Sequence, residues 1–193
     1  MSEKPRILAF AGSLRKDSLN KKIVKIAAKA AAEAGAIVTY IDLKDYQVPV
    51  YDGDIEDETG IPVKAKEFKE LMKSHHGFLI ASPEYNSSIS AVLKNLIDWA
   101  SRPERGEPVL AAFKGKTAAL LSASPGKFGG LRGLYSLREI LQNVFVLVLP
   151  DMYSLSAADN AFNDDDTMKN NDQLASVNAI GENLTKYLLK TLE

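Results

Sequence analysis

The stretch Ile7-Leu8-Ala9-Phe10-Ala11-Gly12-Ser13-Leu14-Arg15-Lys16-Asp17-Ser18-Leu19-Asn20 decides the fold. Five apolar residues in a row, with no polar alternation, read as a strand buried on both faces. A glycine and a polar loop follow. Ile23, Ala27, Ala30 and Ala34 then recur at helical spacing, so a helix is predicted over about residues 18–33, closed by Gly35. A doubly buried strand that feeds directly into a helix is the opening unit of a parallel sheet covered by helices.

The same alternation continues along the chain. Strands are predicted at residues 7–11, 36–42, 78–81, 117–121 and 144–149. Helices are predicted at 62–76, 90–101 and 131–141, and from about 171 to the end. Residues 43–62 form a long polar connection with an acidic cluster over 54–58. Loops of that length in a compact domain are usually functional or mobile. Five strands separated by helices make an α/β protein with a three-layer, doubly wound, five-stranded parallel sheet, in one domain over 1–193. Ligands of such sheets sit at the carboxyl ends of the strands, where the strand order reverses. The loops after strands one, three and four therefore carry the chemistry.

Composition narrows the classes. The 193 residues suit one large domain, with 46% hydrophobic and 25% charged residues. Lys and Arg (24) balance Asp and Glu (25), and that argues against a nucleic-acid partner, which would call for a basic excess. The chain has no cysteine, so thiol nucleophiles, thiolate zinc sites, iron–sulfur clusters and disulfides are excluded. The apolar run at 7–11 is far too short to span a membrane, and a cytoplasmic protein with no membrane partner is expected.

Two readings fit the first loop. Ser13, Arg15, Ser18 and Asn20 offer hydroxyl, guanidinium and amide donors at a helix N-terminus, a place that favours phosphate. Lys21 and Lys22 occupy the first turn where acidic residues usually stand, as though a bound anion supplied the negative charge. The plainer reading is a serine N-cap beside exposed lysines. The loop is neither G-x-x-x-x-G-K-[ST] nor G-x-G-x-x-G, so triphosphate hydrolysis and Rossmann-type dinucleotide binding are not expected. The second loop, Ser82-Pro83-Glu84-Tyr85-Asn86-Ser87-Ser88, brings an aromatic face and amide groups that suit a flat heterocycle, or serves as a capping turn. The third, Ser122-Ala123-Ser124-Pro125-Gly126-Lys127-Phe128-Gly129-Gly130, has three glycines, which suggests close approach of the backbone to something, or a flexible turn. His75 and His76 are adjacent, so their side chains diverge, and no metal site is expected there. Asp164, Asp165 and Asp166 read as a solvated lead-in to the last helix. Arg102, Arg132 and Arg138 are open to either a ligand or an ordinary surface role.

Taken together, Gly12-Ser13-Leu14-Arg15 with Ser18 and Asn20, Pro83-Glu84-Tyr85-Asn86, and Leu93-Lys94-Asn95 with Asp98-Trp99 resemble the NADPH-dependent FMN reductase family. The likeness, which includes Pro49-Val50-Tyr51-Asp52, runs to about Leu149. That family has a flavodoxin-like fold and includes bacterial quinone, chromate and azo-dye reductases. The resemblance implies that Ser13, Leu14, Arg15, Ser18, Leu19 and Asn20 hold the FMN phosphate. It implies that Pro83, Glu84, Tyr85 and Asn86 line the isoalloxazine and ribityl chain, and that Ser124 and Gly126 approach the ring. It further implies NADPH or NADH as electron donor, a small-molecule acceptor and a homodimer or homotetramer, with no catalytic side chain because the chemistry belongs to the cofactor. A flavodoxin-like electron carrier or a non-enzymatic flavin-binding module are the other classes compatible with the fold.

Overall fold

The computed structural model describes residues 3–192. Its elements in chain order are β1 (Arg6–Ala11), α1 (Leu19–Glu33), β2 (Ile37–Asp42), α2 (Gly53–Thr59), α3 (Val63–Ser74), β3 (Gly77–Ala81), α4 (Ala91–Ala100), β4 (Thr117–Ala123), α5 (Leu131–Asn143), β5 (Leu147–Leu155) and α6 (Asn171–Thr191). All strand pairs are parallel, in the order β2-β1-β3-β4-β5. This is the flavodoxin-like order, with its switch point between β1 and β3.

The pleat divides the core. Ile7, Ala9 and Ala11 of β1 pack with α1 and α6 on one face, while Leu8 and Phe10 pack with α3, α4 and α5 on the other. Both faces are covered, and for this reason the strand reads as an unbroken apolar run. The α1/α6 side is built from small residues, among them Ala27, Ala31, Ala81 and Ala119, so the layers approach closely. A Cβ at Gly181 of α6 would lie 2.0 Å from the Ala27 carbonyl oxygen of α1. The opposite side is filled by larger groups, including Phe10 and Phe68 in edge-to-face contact at 5.6 Å. Each such fully buried side chain contributes about 1.5–3 kcal/mol.

Three predicted segments differ. Residues 43–62 are not a plain loop: a 3₁₀ turn (Leu43–Tyr46) and α2 lie within them. The Asp52 carboxylate accepts the Asp54 N–H at 2.9 Å as an N-cap, Asp54 and Glu56 sit favourably in the first turn, and Gly60 ends the helix at φ 74°. The fifth strand begins later and runs further than 144–149. Phe145 takes φ 65° and breaks the chain direction, and β5 then continues past Pro150 to Leu155. Between the pairs Ala118–Val148 and Leu120–Met152 the strand carries extra residues, a bulge that holds Pro150 where no ladder N–H is needed. Pro150 is therefore not an endpoint. Asp164–Asp166 also lie apart from the last helix, which is capped by Asn170 accepting the Asp172 and Gln173 N–H groups. Asp166 instead pairs with Lys22 at 2.5 Å. Among the described residues no helix is long and apolar enough to cross a membrane.

The segment between α4 and β4 is pinned from α3. The fully buried Lys69 ammonium donates to the Arg102 carbonyl at 2.6 Å and to the Glu107 carboxylate, which also receives Lys73 at 2.9 Å. Burial acts to raise the Glu107 carboxyl, but the bonds from Lys69 and Lys73 overcome it and lower it from 4.5 to about 2. A depressed carboxyl stabilises the fold above its ordinary value and loses that contribution as pH falls through the folded value. Glu107→Gln is expected to be less stable than the parent protein at pH 7, and the gap between them should close as pH falls from about 4.5 to about 2. Urea midpoints taken at several pH values check this; a gap constant down to pH 2 would contradict it.

Candidate functional site

At the switch point the loops after β1, β3 and β4 meet. Gly12 N–H donates to the Ala81 carbonyl at 2.9 Å, Ser82 N–H to Leu121 at 2.9 Å and Ser124 N–H to Leu155 at 3.1 Å, so each loop leaves the sheet tied to its neighbour. Ser90, the N-cap of α4, donates its hydroxyl to the Gly12 carbonyl at 2.6 Å. Together the loops enclose a cleft made of two joined hollows that share Glu84 and Ser124.

Ser13, Arg15, Ser18, Leu19, Asn20, Pro83 and Tyr85 line the first hollow, beside the start of α1, and Asn86 and Gly126 line the second. Every residue that the family resemblance assigns to FMN borders this cleft except Leu14. Leu14 lines a different hollow, with Tyr46, Val48, Val50 and Val92. Ser87, Lys127 and Phe128 also line the second hollow. They stood within the quoted loops, but nothing in their spacing separated them from linker residues.

The donors around the cleft are largely main-chain. Ser18 caps α1 by accepting the Lys21 N–H at 3.4 Å. The Leu19 and Asn20 N–H groups have no acceptor among the described residues, as expected of a first helical turn. The Ser13 hydroxyl accepts the Arg15 N–H at 3.3 Å, and the exposed Arg15 guanidinium makes no hydrogen bond or ion pair among the described residues. On the other side, Asn86 (φ 51°) and Ser87 (φ 65°) form the two corners of a tight turn closed by paired bonds between Tyr85 and Ser88 of 2.9 and 3.0 Å. Two consecutive left-handed residues are the signature of a type I′ turn. Their N–H groups are also without acceptors among the described residues. Tyr85 and Phe128, each more than half exposed, present flat apolar faces at the rim.

Several side chains serve the frame. The buried Asn20 amide donates to the Ala123 carbonyl and accepts the Ala123 N–H, both at 3.0 Å, so it joins α1 to the end of β4 and leaves only its own N–H for a ligand. Lys21 pairs with Asp42 at 2.5 Å and Lys22 with Asp166, so these two lysines do not face an unmatched anion site. Burial acts to raise the Asp42 carboxyl, but bonds from Lys21 and the Lys44 N–H hold it below its ordinary value. Of the third-loop glycines, Gly129 (φ 58°) lies against the Leu155 backbone and Gly130 (φ 92°) against Ser122. The close approach they permit is to the protein itself, although both, like Gly126, also border the second hollow.

Asn95 and Trp99 of α4 hold the long connection: Asn95 accepts the Tyr51 N–H and donates to the Pro49 carbonyl, both at 2.8 Å, and the Trp99 indole donates to Pro49 at 2.9 Å. Arg102 is bound to Glu56 at 2.8 Å and Arg132 to Glu84 at 2.6 Å. His75 and His76 turn to different partners, His75 to Leu71 and Thr39 and His76 to Arg6.

A cleft at the switch point of a 2-1-3-4-5 sheet, with free amides at both ends, agrees with the comparison to known proteins. The family described as NADPH-dependent FMN reductase matches residues 5–160. The chain belongs to that family. It is 38% identical to an NAD(P)H-dependent FMN reductase of Pseudomonas aeruginosa over 84% of this chain and 83% of that one. It is 35% identical to a quinone reductase of Escherichia coli K12 over 77% and 76%. A solved structure of the flavoenzyme NAD(P)H:(acceptor) oxidoreductase FerB from Paracoccus denitrificans superposes with a TM-score of 0.79 at 26% identity, covering 96% of this chain and 98% of that chain. The family match extends past Leu149 through the bulged β5, further than the sequence likeness alone reached.

FMN is the cofactor of this family, and the residues present fit it. Unpartnered amides and a free guanidinium at one end suit a phosphate; flat faces and turn amides at the other suit a heterocycle with polar edges. Asn20→Ala tests the framing role. Leaving the buried Ala123 N–H and carbonyl without partners is expected to cost about 1–3 kcal/mol for each unsatisfied group. The loss should appear in thermal unfolding of the FMN-free protein. An Asn20→Ala protein that unfolds at the parent temperature would contradict it.

Proposed function

We propose that this chain is a cytoplasmic, FMN-dependent NAD(P)H oxidoreductase that delivers electrons to a quinone or another small acceptor, works as a homodimer or homotetramer, and folds as one domain over 1–193. The observation that carries the reading is the cleft itself: unpartnered amides at the start of α1 lie at one end and unpartnered amides of the 85–88 turn at the other. FMN, when bound, supplies the hydride acceptance and release. The protein binds and orients.

In this reading the N–H groups of Leu19 and Asn20, the hydroxyls of Ser13 and Ser18 and the Arg15 guanidinium hold the phosphate. Leu14, which lines a neighbouring hollow, contributes through its backbone. Pro83, Tyr85, Asn86, Ser124 and Gly126 border the ring and ribityl chain. The Asn86 and Ser87 amides donate toward the ring edge, where negative charge grows on reduction, and fixed donors there need no reorganisation. Tyr85 and Phe128 are both more than half exposed, which offers flat faces against which a nicotinamide or acceptor would stack in turn.

The test is NAD(P)H oxidation by FMN-loaded protein against quinones, azo dyes, chromate and free flavin. Turnover with at least one acceptor is expected; absence of any nicotinamide oxidation would overturn the reading. Arg15→Ala should weaken FMN binding by about one to two decades, since a bond to a charged group contributes about 1.5–3 kcal/mol. Riboflavin, which lacks the phosphate, should bind nearly as before. Equal losses for FMN and riboflavin would remove Arg15 from the phosphate site.

A further inference from the structure

Glu84 is the one acid lining either hollow of the cleft among the described residues. That is an unexpected place for a carboxylate. A cleft that accepts a phosphate, and a ring that gains negative charge on reduction, would be repelled by a bare anion nearby. The side chain is only 9% exposed, so it does not relieve the conflict by turning to water.

The contacts explain its presence. One carboxylate oxygen accepts from Arg132, at 2.8 Å from Nε and 2.6 Å from a terminal nitrogen, while the other accepts the Gly133 N–H at 3.2 Å. Gly133 is the third residue of α5, a helix whose N-cap, Gly130, has no side chain to cap it. Glu84 therefore supplies, from a loop 49 positions earlier in the chain, the acceptor that a local serine or aspartate would normally provide. α5 grips the same turn a second time, because Ser136 donates its hydroxyl to the Ser87 carbonyl at 3.1 Å. Gly133 is what lets the two segments meet: a Cβ there would lie 3.1 Å from Glu84 Cβ and 3.2 Å from the Ser88 carbonyl oxygen. Arg132, held by Glu84, stands over the Phe128 ring at 5.3 Å, so the pair joins the two walls of the second hollow.

We propose that Glu84 is a positioning residue, not a flavin contact: with Arg132 and the Gly133 N–H it forms a charge-neutral clamp that sets both the width and the charge of the hollow receiving the flavin ring. The inference rests on the FMN reading for its effect on the flavin, but the clamp itself is a property of the chain. Both residues are needed for neutrality. Removing the carboxylate leaves an unmatched guanidinium beside the ring, whereas removing the guanidinium leaves an unmatched carboxylate.

The experiment is a cycle of Glu84→Gln, Arg132→Gln and the double variant, read in two ways. In FMN-free protein, thermal and urea unfolding should show coupling, with the double variant losing less stability than the sum of the two single losses. In FMN-loaded protein the flavin midpoint potential should rise in Glu84→Gln and fall in Arg132→Gln, and the double variant should return toward the parent value. A purely structural role would not produce shifts of opposite sign. Additive losses, or single variants whose potentials move together or not at all, would overturn the clamp. Should Glu84→Gln fail to fold, Arg132→Gln alone must still lower the potential, and Gly133→Ala must weaken riboflavin binding at least threefold by parting the same contact; failure of either overturns it. If the parent protein takes up no FMN, the functional reading falls, while the coupling in FMN-free protein still decides the clamp.

Discussion

At Gly12 three segments meet with no space for a side chain. Its N–H is bonded to the end of β3 and its carbonyl to the N-cap of α4, and a Cβ there would lie 2.9 Å from Leu93 Cδ2 and 3.4 Å from Pro83. This close approach lets the loops after β1 and β3 leave the sheet side by side at the switch point. Any bulkier residue would drive α4 and the second loop away from the first. Both ends of the cleft depend on that contact, since one is built on the loop after Gly12 and the other on the loop after Ser82.

Once the loops are adjacent, the charges around them are sorted by pairing. Lys21 and Lys22 turn from the cleft to Asp42 and Asp166, Arg102 is taken by Glu56, and Arg132 by Glu84. Among the described residues, the cations lining the cleft without a carboxylate partner are Arg15 in the first hollow and Lys127 in the second. An anionic group entering there meets positive charge and amide donors, with its nearest carboxylate already neutralised. Such a cleft attracts negative ligands without needing a strongly basic protein, and the overall balance of charge reflects that.

The central strands β1, β3 and β4 were legible because doubly buried parallel strands read as unbroken apolar runs, while the edge strands β2 and β5 are only partly buried. Legibility failed where a local rule met a tertiary exception. Pro150 reads as a stop, yet it is accommodated by a bulge on an edge strand. The short α2 has no apolar stripe, and no buried residue of its own, so no periodicity could reveal it; its Asp52 cap and Gly60 terminus were the only signals. The cleft was legible as loops and motif residues. The pairing of Lys21 and Lys22 was not, because Asp42 and Asp166 are remote in sequence and become neighbours only through the β1–β2 pairing and the turn before α6.

The same distinction applies to individual roles. A motif shows which side chains a loop requires, but not whether they serve the ligand or the loop. Asn20, Glu84, Ser90 and Asn95 all carry polar groups suited to a ligand, and each spends them on another segment: Ala123, the start of α5, Gly12 and the 49–51 stretch. Main-chain amides then remain as donors facing the cleft, beside Arg15, Lys127 and the Ser13 and Ser18 hydroxyls. An amide has no side chain to substitute, so its direction can be set only by the backbone that carries it. Polar side chains that hold that backbone are consequently as necessary as ligand contacts would be, and they occupy the same motifs. Proximity to a cleft thus marks a residue for attention, while its hydrogen-bond partners decide which of the two tasks it performs.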